Sequence, residues 1–236
     1  MNFVRSACLA VALVVSSGSV ATAQDFDKGL AAAQAGDFVT AIEEWRPLAE
    51  RGNADAQVLL GAIYQEGLGV SLDYAEAVNW YLLAAEQGDY RAQYNLGQMY
   101  RLGEGEPQDY AEAVNWYRLA AEQGHADAQH NLGLMYDRGE GVPQDYAESF
   151  KWSRLAAEQG HAIAQTMLGF MYRLGQGTLQ DNVRAHQWWN IGATNGYAEA
   201  AEHRDRIAEE MTPADISQAQ AMARECMSSG YADCGW

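Results

Sequence analysis

Apolar residues along this 236-residue chain fall at helical spacing, and the whole arrangement then returns on a much longer period. From His125 the segment ADAQHNLGLMYDR places its larger apolar residues Leu132, Met135 and Tyr136 on one face, the signature of an amphipathic helix. Gly139 stands where that helix must stop, because glycine adopts the left-handed closing conformation without a Cβ penalty. Pro143 in the following loop bars continuation. Asp145 then precedes Glu148 by three positions, a capping spacing that opens a second helix. Phe150, Trp152, Leu155 and Ala156 give that helix its expected buried stripe, and Gly160 its end. No segment alternates with period two over strand length, so the pattern predicts an all-α chain.

The pair of helices is a repeating unit. Asp73–Tyr81 reads DYAEAVNWY and recurs letter for letter at Asp109–Tyr117, a shift of 36 positions. The same shift aligns Gly61, Gly97, Gly133 and Gly169, then Tyr64, Tyr100, Tyr136 and Tyr172, then Trp80, Trp116, Trp152 and Trp188. A fixed period in this range signals a solenoid whose units bury their faces only by stacking. A glycine inside a helix costs about 1 kcal/mol against alanine. Its return at residues 61, 97, 133 and 169 therefore predicts close approach of a neighbouring helix and its aromatic side chains.

The first residues read differently. Ala7–Val15 is a short apolar run behind Arg5, and Ala21-Thr22-Ala23 fits a small-x-small cleavage site. This is the pattern of a secretory signal peptide at residues 1–23, with a mature start at Gln24. The run is far below the roughly 20 residues needed to span a bilayer. Cys8 precedes the apolar run, which argues against a lipid anchor there. The formal net charge is −17, and losing Arg5 makes it −18. Such a chain is repelled by phosphate backbones and anionic lipid, so neither nucleic acid nor stable membrane insertion is expected. A basic partner, or one not chosen by charge, fits better, and acidity also serves to keep an exported protein soluble.

The columns resemble the Sel-1-like repeat, a relative of the tetratricopeptide repeat. The resemblance is carried by Ala92, Leu96, Gly97, Tyr100, Gly103, Gly105, Asp109, Ala113, Trp116, Tyr117, Ala120, Ala121 and Gly124 and their equivalents. It covers four units, 54–88, 90–124, 126–160 and 162–196. It implies a right-handed α/α superhelical solenoid used as a protein-interaction scaffold, in exported bacterial proteins among others, with no cofactor. Residues 24–53 read as a shorter tetratricopeptide-type unit with Gly36-Asp37-Phe38 at its turn and Trp45 one place off the tryptophan column.

The units are not identical. The third has Ser149 and Ser153 where Ala and Tyr stand in the first two, and the fourth has Arg184 in place of the capping Glu and Gly192 in place of Ala. Residues 197–236 read as the cap. Within them Thr212-Pro213 opens a helix presenting Ile216, Ala219, Met222, Ala223 and Cys226 on one face. Once the leader is removed, Cys226 and Cys234 are the remaining cysteines. In an exported protein they are expected to pair, with two free thiols as the alternative.

Other chemistries fit poorly. The Gly-x-Gly pairs follow helices and lack the lysine of a phosphate loop. The tryptophan column keeps a core register. His125 and His161 share one column and read as turn residues rather than a metal pair. No nucleophile–base set or carboxylate pair stands apart from the repeat, so the chain reads as non-enzymatic. A cysteine-rich secreted branch of the family is associated with β-lactam binding or hydrolysis, but the repeats here hold no cysteine. Another branch acts as a periplasmic inhibitor of a membrane sensor. In related solenoids the inner face of the first helices grips peptides. That resemblance points to Tyr94, Asn95, Gln98, Arg101, His130, Asn131, Leu134, Asp137, Met167, Phe170 and Arg173 as partner-binding positions, with a protein or peptide as the partner and the periplasm or the cell exterior as the location.

Overall fold

The computed structural model describes residues 20–235, with side chains from Asp25 onward. The expected leader up to residue 19, including Cys8, lies outside them, and the expected start at Gln24 falls in the first helix. Twelve helices and no strand occur among the described residues. α1 (Val20–Ala35) and α2 (Phe38–Glu50) form the first pair. Four further pairs follow: α3 (Ala54–Glu66) with α4 (Tyr74–Glu86), α5 (Tyr90–Leu102) with α6 (Tyr110–Glu122), α7 (Ala126–Arg138) with α8 (Tyr146–Glu158), and α9 (Ala162–Leu174) with α10 (Asn182–Thr194). The chain closes with α11 (Glu199–Ala208) and α12 (Pro213–Ser228), both packed on α10. It divides inside α6 into two compact units, one ending at Trp116 and one beginning at Tyr117.

The helix boundaries follow from the caps. Asn53, Asp89, His125 and His161 accept first-turn amides of α3, α5, α7 and α9, and Gly67, Gly103, Gly139 and Gly175 close those helices at φ of 65° to 74°. The two histidines are thus turn residues. Asp73, Asp145 and Asp181 cap α4, α8 and α10. The glutamates of the expected capping pair have another job. Glu76 accepts the indole N–H of Trp80 at 2.9 Å, and Glu148 that of Trp152 at 3.0 Å, which lets two buried tryptophans satisfy their donor. Thr212 caps α12 with Pro213 in its first turn, as its sequence requires. Leu155, expected in the buried stripe of α8, is 36% exposed. The neighbouring Ala156 and Ala157 occupy the core instead.

Within each unit, consecutive helices are joined by a buried glutamine. The side-chain amide of Gln57 donates to the Ala49 carbonyl at 2.9 Å, and Gln93, Gln129 and Gln165 do the same to Ala85, Ala121 and Ala157. Each adds a second hydrogen bond to a carbonyl that also accepts the amide of the turn glycine, Gly52, Gly88, Gly124 or Gly160. Gln87, Gln159 and Asn195 complete the link by donating to Gln57, Gln129 and Gln165 at 2.7 Å.

Gly61 and Gly169 of the mid-helix column meet rings, as the sequence predicts, whereas Gly133 meets Ser153. A Cβ on Gly61 would lie 2.6 Å from the Tyr81 ring, and one on Gly169 would lie 2.4 Å from Trp189. Trp45 is fully buried against Gly29, where a Cβ would meet its indole at 2.4 Å. It therefore belongs to the column of Tyr81 and Trp189 rather than to a displaced tryptophan column. In the second unit α10 supplies Trp188, Trp189 and Ile191 to a core that also takes Ala223 and Cys226 of α12 and Cys234. Cys226 and Cys234 lie 4.4 Å apart at Cα, with their sulfurs at bonding distance.

Candidate functional site

In the second unit a cavity of about 410 Å³ opens between α7, α9 and the start of the cap. Such a volume falls in the range of ligand pockets. His130, Leu134 and Asp137 come from one face of α7, four and three residues apart. Ile163, Thr166, Met167 and Phe170 come from the facing side of α9, and Tyr197, Glu199 and His203 from the cap. Arg138, Met171 and Gln176 complete the wall.

Five of the sequence-predicted positions therefore meet in one place: His130, Leu134, Asp137, Met167 and Phe170. Their settings differ from a plain solvated face. His130 is only 8% exposed, its Nδ1 is buried without a hydrogen-bond partner, and its ring stacks on His161 at 4.8 Å. Burial, helped by the neighbouring His161, pushes its pKa down to about 4, so the ring is neutral at pH 7. His161 is itself fixed. Its Nδ1 accepts from the Ala164 amide at 3.1 Å, and its Nε2 lies 3.1 Å from Asp127 Oδ1. Asp137 is half-buried, and desolvation raises its pKa against the opposing pull of Arg138. Arg138 sits 3.8 Å from Glu140. Phe170 packs edge-on against His203 at 4.6 Å and Trp189 at 5.2 Å, while 37% of its surface stays exposed.

Other predicted positions lie elsewhere or are already committed. Arg173 is held by Glu210 at 2.7 Å and Asn182 at 3.2 Å, which ties α9 to the end of α11. Asn131 is half-buried on α7 and does not line the cavity. In the first unit Tyr94, Asn95, Gln98 and Arg101 are half-buried on α5. Asn95 hydrogen-bonds the buried hydroxyl of Tyr81, so its side chain supports the fold. Sequence reasoning missed Ile163 and the three cap residues. Ile163 sits beside the capping His161, and Tyr197, Glu199 and His203 follow the last repeat, where no periodic column marks them. The first unit has its own hollow of about 560 Å³ beside Trp80 and Leu83, bounded by Glu50, Glu86 and Gln87.

The Sel1 repeat family model matches residues 54–89, 91–125, 126–161 and 162–197, more than half of the chain. The chain belongs to the Sel1 repeat family. A solved Sel1 repeat protein from Oxalobacter formigenes is 36% identical, with a TM-score of 0.74 over 88% of this chain and 83% of its own. The c5321 protein of uropathogenic Escherichia coli strains, described as a protective antigen displaying an SLR fold, is 33% identical with a TM-score of 0.79 over 90% of this chain. This Sel1 repeat chain spans 47% of the length of c5321. The immunity protein PA5088 of Pseudomonas aeruginosa, at 19% identity and a TM-score of 0.51, shares the fold. No curated protein matches the chain. These likenesses place the Sel1 repeat chain in the all-helical α/α solenoid class of its neighbours. No helix among the described residues is long and apolar enough to cross a membrane.

Proposed function

We propose that this Sel1 repeat protein is an exported, non-catalytic adaptor that holds a protein or peptide partner in the cavity of its second unit. The observation that carries this reading is the cavity itself. Exposed Ile163 and Phe170 stand beside Leu134 and Met167, and the carboxylates of Asp137 and Glu199 share the wall. Apolar anchors flanked by a few directed polar groups are how peptide-binding surfaces combine affinity with orientation. The paired Cys226 and Cys234 in the cap, together with the leader-like segment before Gln24, support an oxidising, periplasmic or extracellular location.

The test is crosslinking of the native protein in cells, followed by mass spectrometry of the captured partner. Ile163→Asp places a charge among the cavity's apolar residues at a site 45% exposed, so the fold should be little affected. Capture should fall about tenfold or more. Lys151→Ala, on the exposed side of α8, should leave capture intact. Loss with Lys151→Ala and not with Ile163→Asp would move the binding surface to the second helices.

A further inference from the structure

The 560 Å³ hollow of the first unit has a counterpart in the last repeat that the chain itself fills. Gly52 and Gln57 line the hollow on one side, and Trp80, Leu83 and Gln87 on the other. Three periods of 36 residues further on stand Gly160, Gln165, Trp188, Ile191 and Asn195. There the space over the glycine holds a ring of the C-terminal segment. A Cβ on Gly160 would lie 3.4 Å from the Tyr231 ring, and the Asn195 amide donates to the Tyr231 hydroxyl at 2.7 Å. Ile191 is fully buried in the core against which Tyr231 packs. Tyr231 stands at φ of 69°, in the loop that the Cys226–Cys234 pair closes. The chain thus accepts an unfavourable left-handed tyrosine in the segment that seats this ring.

In repeat one the same seat is open to solvent. A Cβ on Gly52 would meet nothing within 4 Å, and Leu83 is 45% exposed. The amide link behind the seat is kept, since Gln87 donates to Gln57 at 2.7 Å as Asn195 does to Gln165. Gln87 directs a further N–H to its own Leu83 carbonyl at 3.0 Å. An incoming hydroxyl can take that hydrogen, as the Tyr231 hydroxyl takes one from Asn195. The rims differ in charge. Glu50 and Glu86 are both exposed beside the open seat. Their counterparts are Glu158, paired with Arg154 at 2.9 Å, and the neutral Thr194. Two carboxylates favour a cation next to the ring. The chain's own segment carries Asp233 two residues after Tyr231, so a second copy of it is repelled from this seat.

We propose that the first unit carries a docking surface of its own, at which a partner protein seats a tyrosine with a lysine or arginine beside it. The ring lies over Gly52 against Leu83 and Trp80. Its hydroxyl accepts the Gln87 amide, and the basic neighbour meets Glu50 and Glu86. Tyr231 in the last repeat is the internal form of the same contact. This surface belongs to a different unit from the adaptor cavity and does not depend on it.

The experiment is calorimetric titration of the full chain with disulfide-closed nonapeptides built on residues 226–234. The probes are CMSSGYAKC, in which lysine replaces the aspartate, its forms with phenylalanine or alanine for tyrosine, and CMSSGYADC itself. CMSSGYAKC should bind best, the phenylalanine and aspartate forms several-fold more weakly, and the alanine form at least about tenfold more weakly. Leu83→Arg crowds the seat from an exposed position and should cut binding about tenfold with the fold unchanged. Gln87→Leu should shrink the preference for tyrosine over phenylalanine. Ile163→Asp, in the second unit, should leave peptide binding as it is. No binding of CMSSGYAKC, equal binding of the alanine form, or binding that survives Leu83→Arg would overturn the proposal. Tighter binding of CMSSGYADC than of CMSSGYAKC would make the occupant a second copy of the chain, and overturns it as well. Loss of binding with Ile163→Asp and not with Leu83→Arg would move the tyrosine to the adaptor cavity, leaving the adaptor reading in place and this surface refuted.

Discussion

Repeats one and three are built from helices of the same length at the same register, yet their helix pairs are filled differently. In repeat one, Tyr81 fills the space over Gly61, is fully buried, and anchors its hydroxyl to Gln65 and Asn95. In repeat three, Ser153 takes that position with its hydroxyl on the Met167 sulfur, and Ser149 buries a hydroxyl with no hydrogen-bond partner. The helix boundaries do not shift in response: α4 and α8 both hold thirteen residues. A repeat array tolerates such a change because each repeat draws its stability from its own pairing and its neighbours, and the remaining interfaces stay intact. The lesson is that a solenoid can change how one repeat is packed without altering its backbone plan.

The largest effect that could break this comparison lies at the glycines. Gly61→Leu or Gly169→Leu would drive a branched side chain into a packed ring, and should cost about 3 kcal/mol in denaturant unfolding. The helix-propensity gain of under about 1 kcal/mol offsets this only in part. Gly133→Leu should also lower the melting temperature, since the Ser149 carbonyl lies 3.3 Å from the new Cβ. Gly133→Ala should stay within about 1 kcal/mol of wild type, because a serine hydroxyl can rotate away and a seated ring cannot. Equal losses for Gly61→Ala and Gly133→Ala would mean that the two pairs are filled alike.

Next in size is an acid sensitivity that repeat three has and repeat one lacks, since the position of His130 is Val58 in repeat one. The buried ring titrates at about 4, against 6.5 for an exposed histidine. The unfolded chain therefore binds the extra proton between those values, and stability is complete above about pH 6.5 and falls as pH drops toward 4. The loss at pH 5 should be on the order of 2 kcal/mol. His161, Asp127 and Arg138 act on this ring and modulate the slope. Unfolding of His130→Val between pH 7 and pH 5 should show a visibly flatter dependence; an unchanged slope would place the acid sensitivity elsewhere.

The glutamine links should be worth about 1 kcal/mol each, since Gln57→Ala or Gln129→Ala removes one of the hydrogen bonds to the Ala49 or Ala121 carbonyl. Here the two repeats should behave alike, because both links have the same partners and lengths near 3 Å. A large difference between them would show that the cavity loosens its surroundings. The smallest effect belongs to Lys151→Ala. Lys151 pairs with Glu148 at 3.1 Å and lies over the Trp152 ring, and exposed pairs of this kind contribute under about 1 kcal/mol.

The sequence by itself determined the helix pairs, their caps and their period. Each of these rests on local chemistry: aspartate and asparagine taking free amides, glycine turning left-handed, and apolar residues on one helical face. It also placed Leu134, Asp137, Met167 and Phe170 on the inner faces of their helices, because side-chain direction follows from the 3.6-residue turn. What each residue touches was decided only by tertiary structure. Asn95 and Arg173 carry the same polar chemistry as a binding residue, yet one holds a buried tyrosine and the other holds the cap. His130 sits at an inner-face position but is buried under His161. Glu76 and Glu148, each three residues after a capping aspartate, turn to the tryptophan four residues on, and a glutamine hidden in each repeat meets a carbonyl of the helix before it. The cavity itself has no local signature. It depends on residues of α7, residues of α9 and three residues of the cap meeting in space, and only the packing of separate helices brings them together.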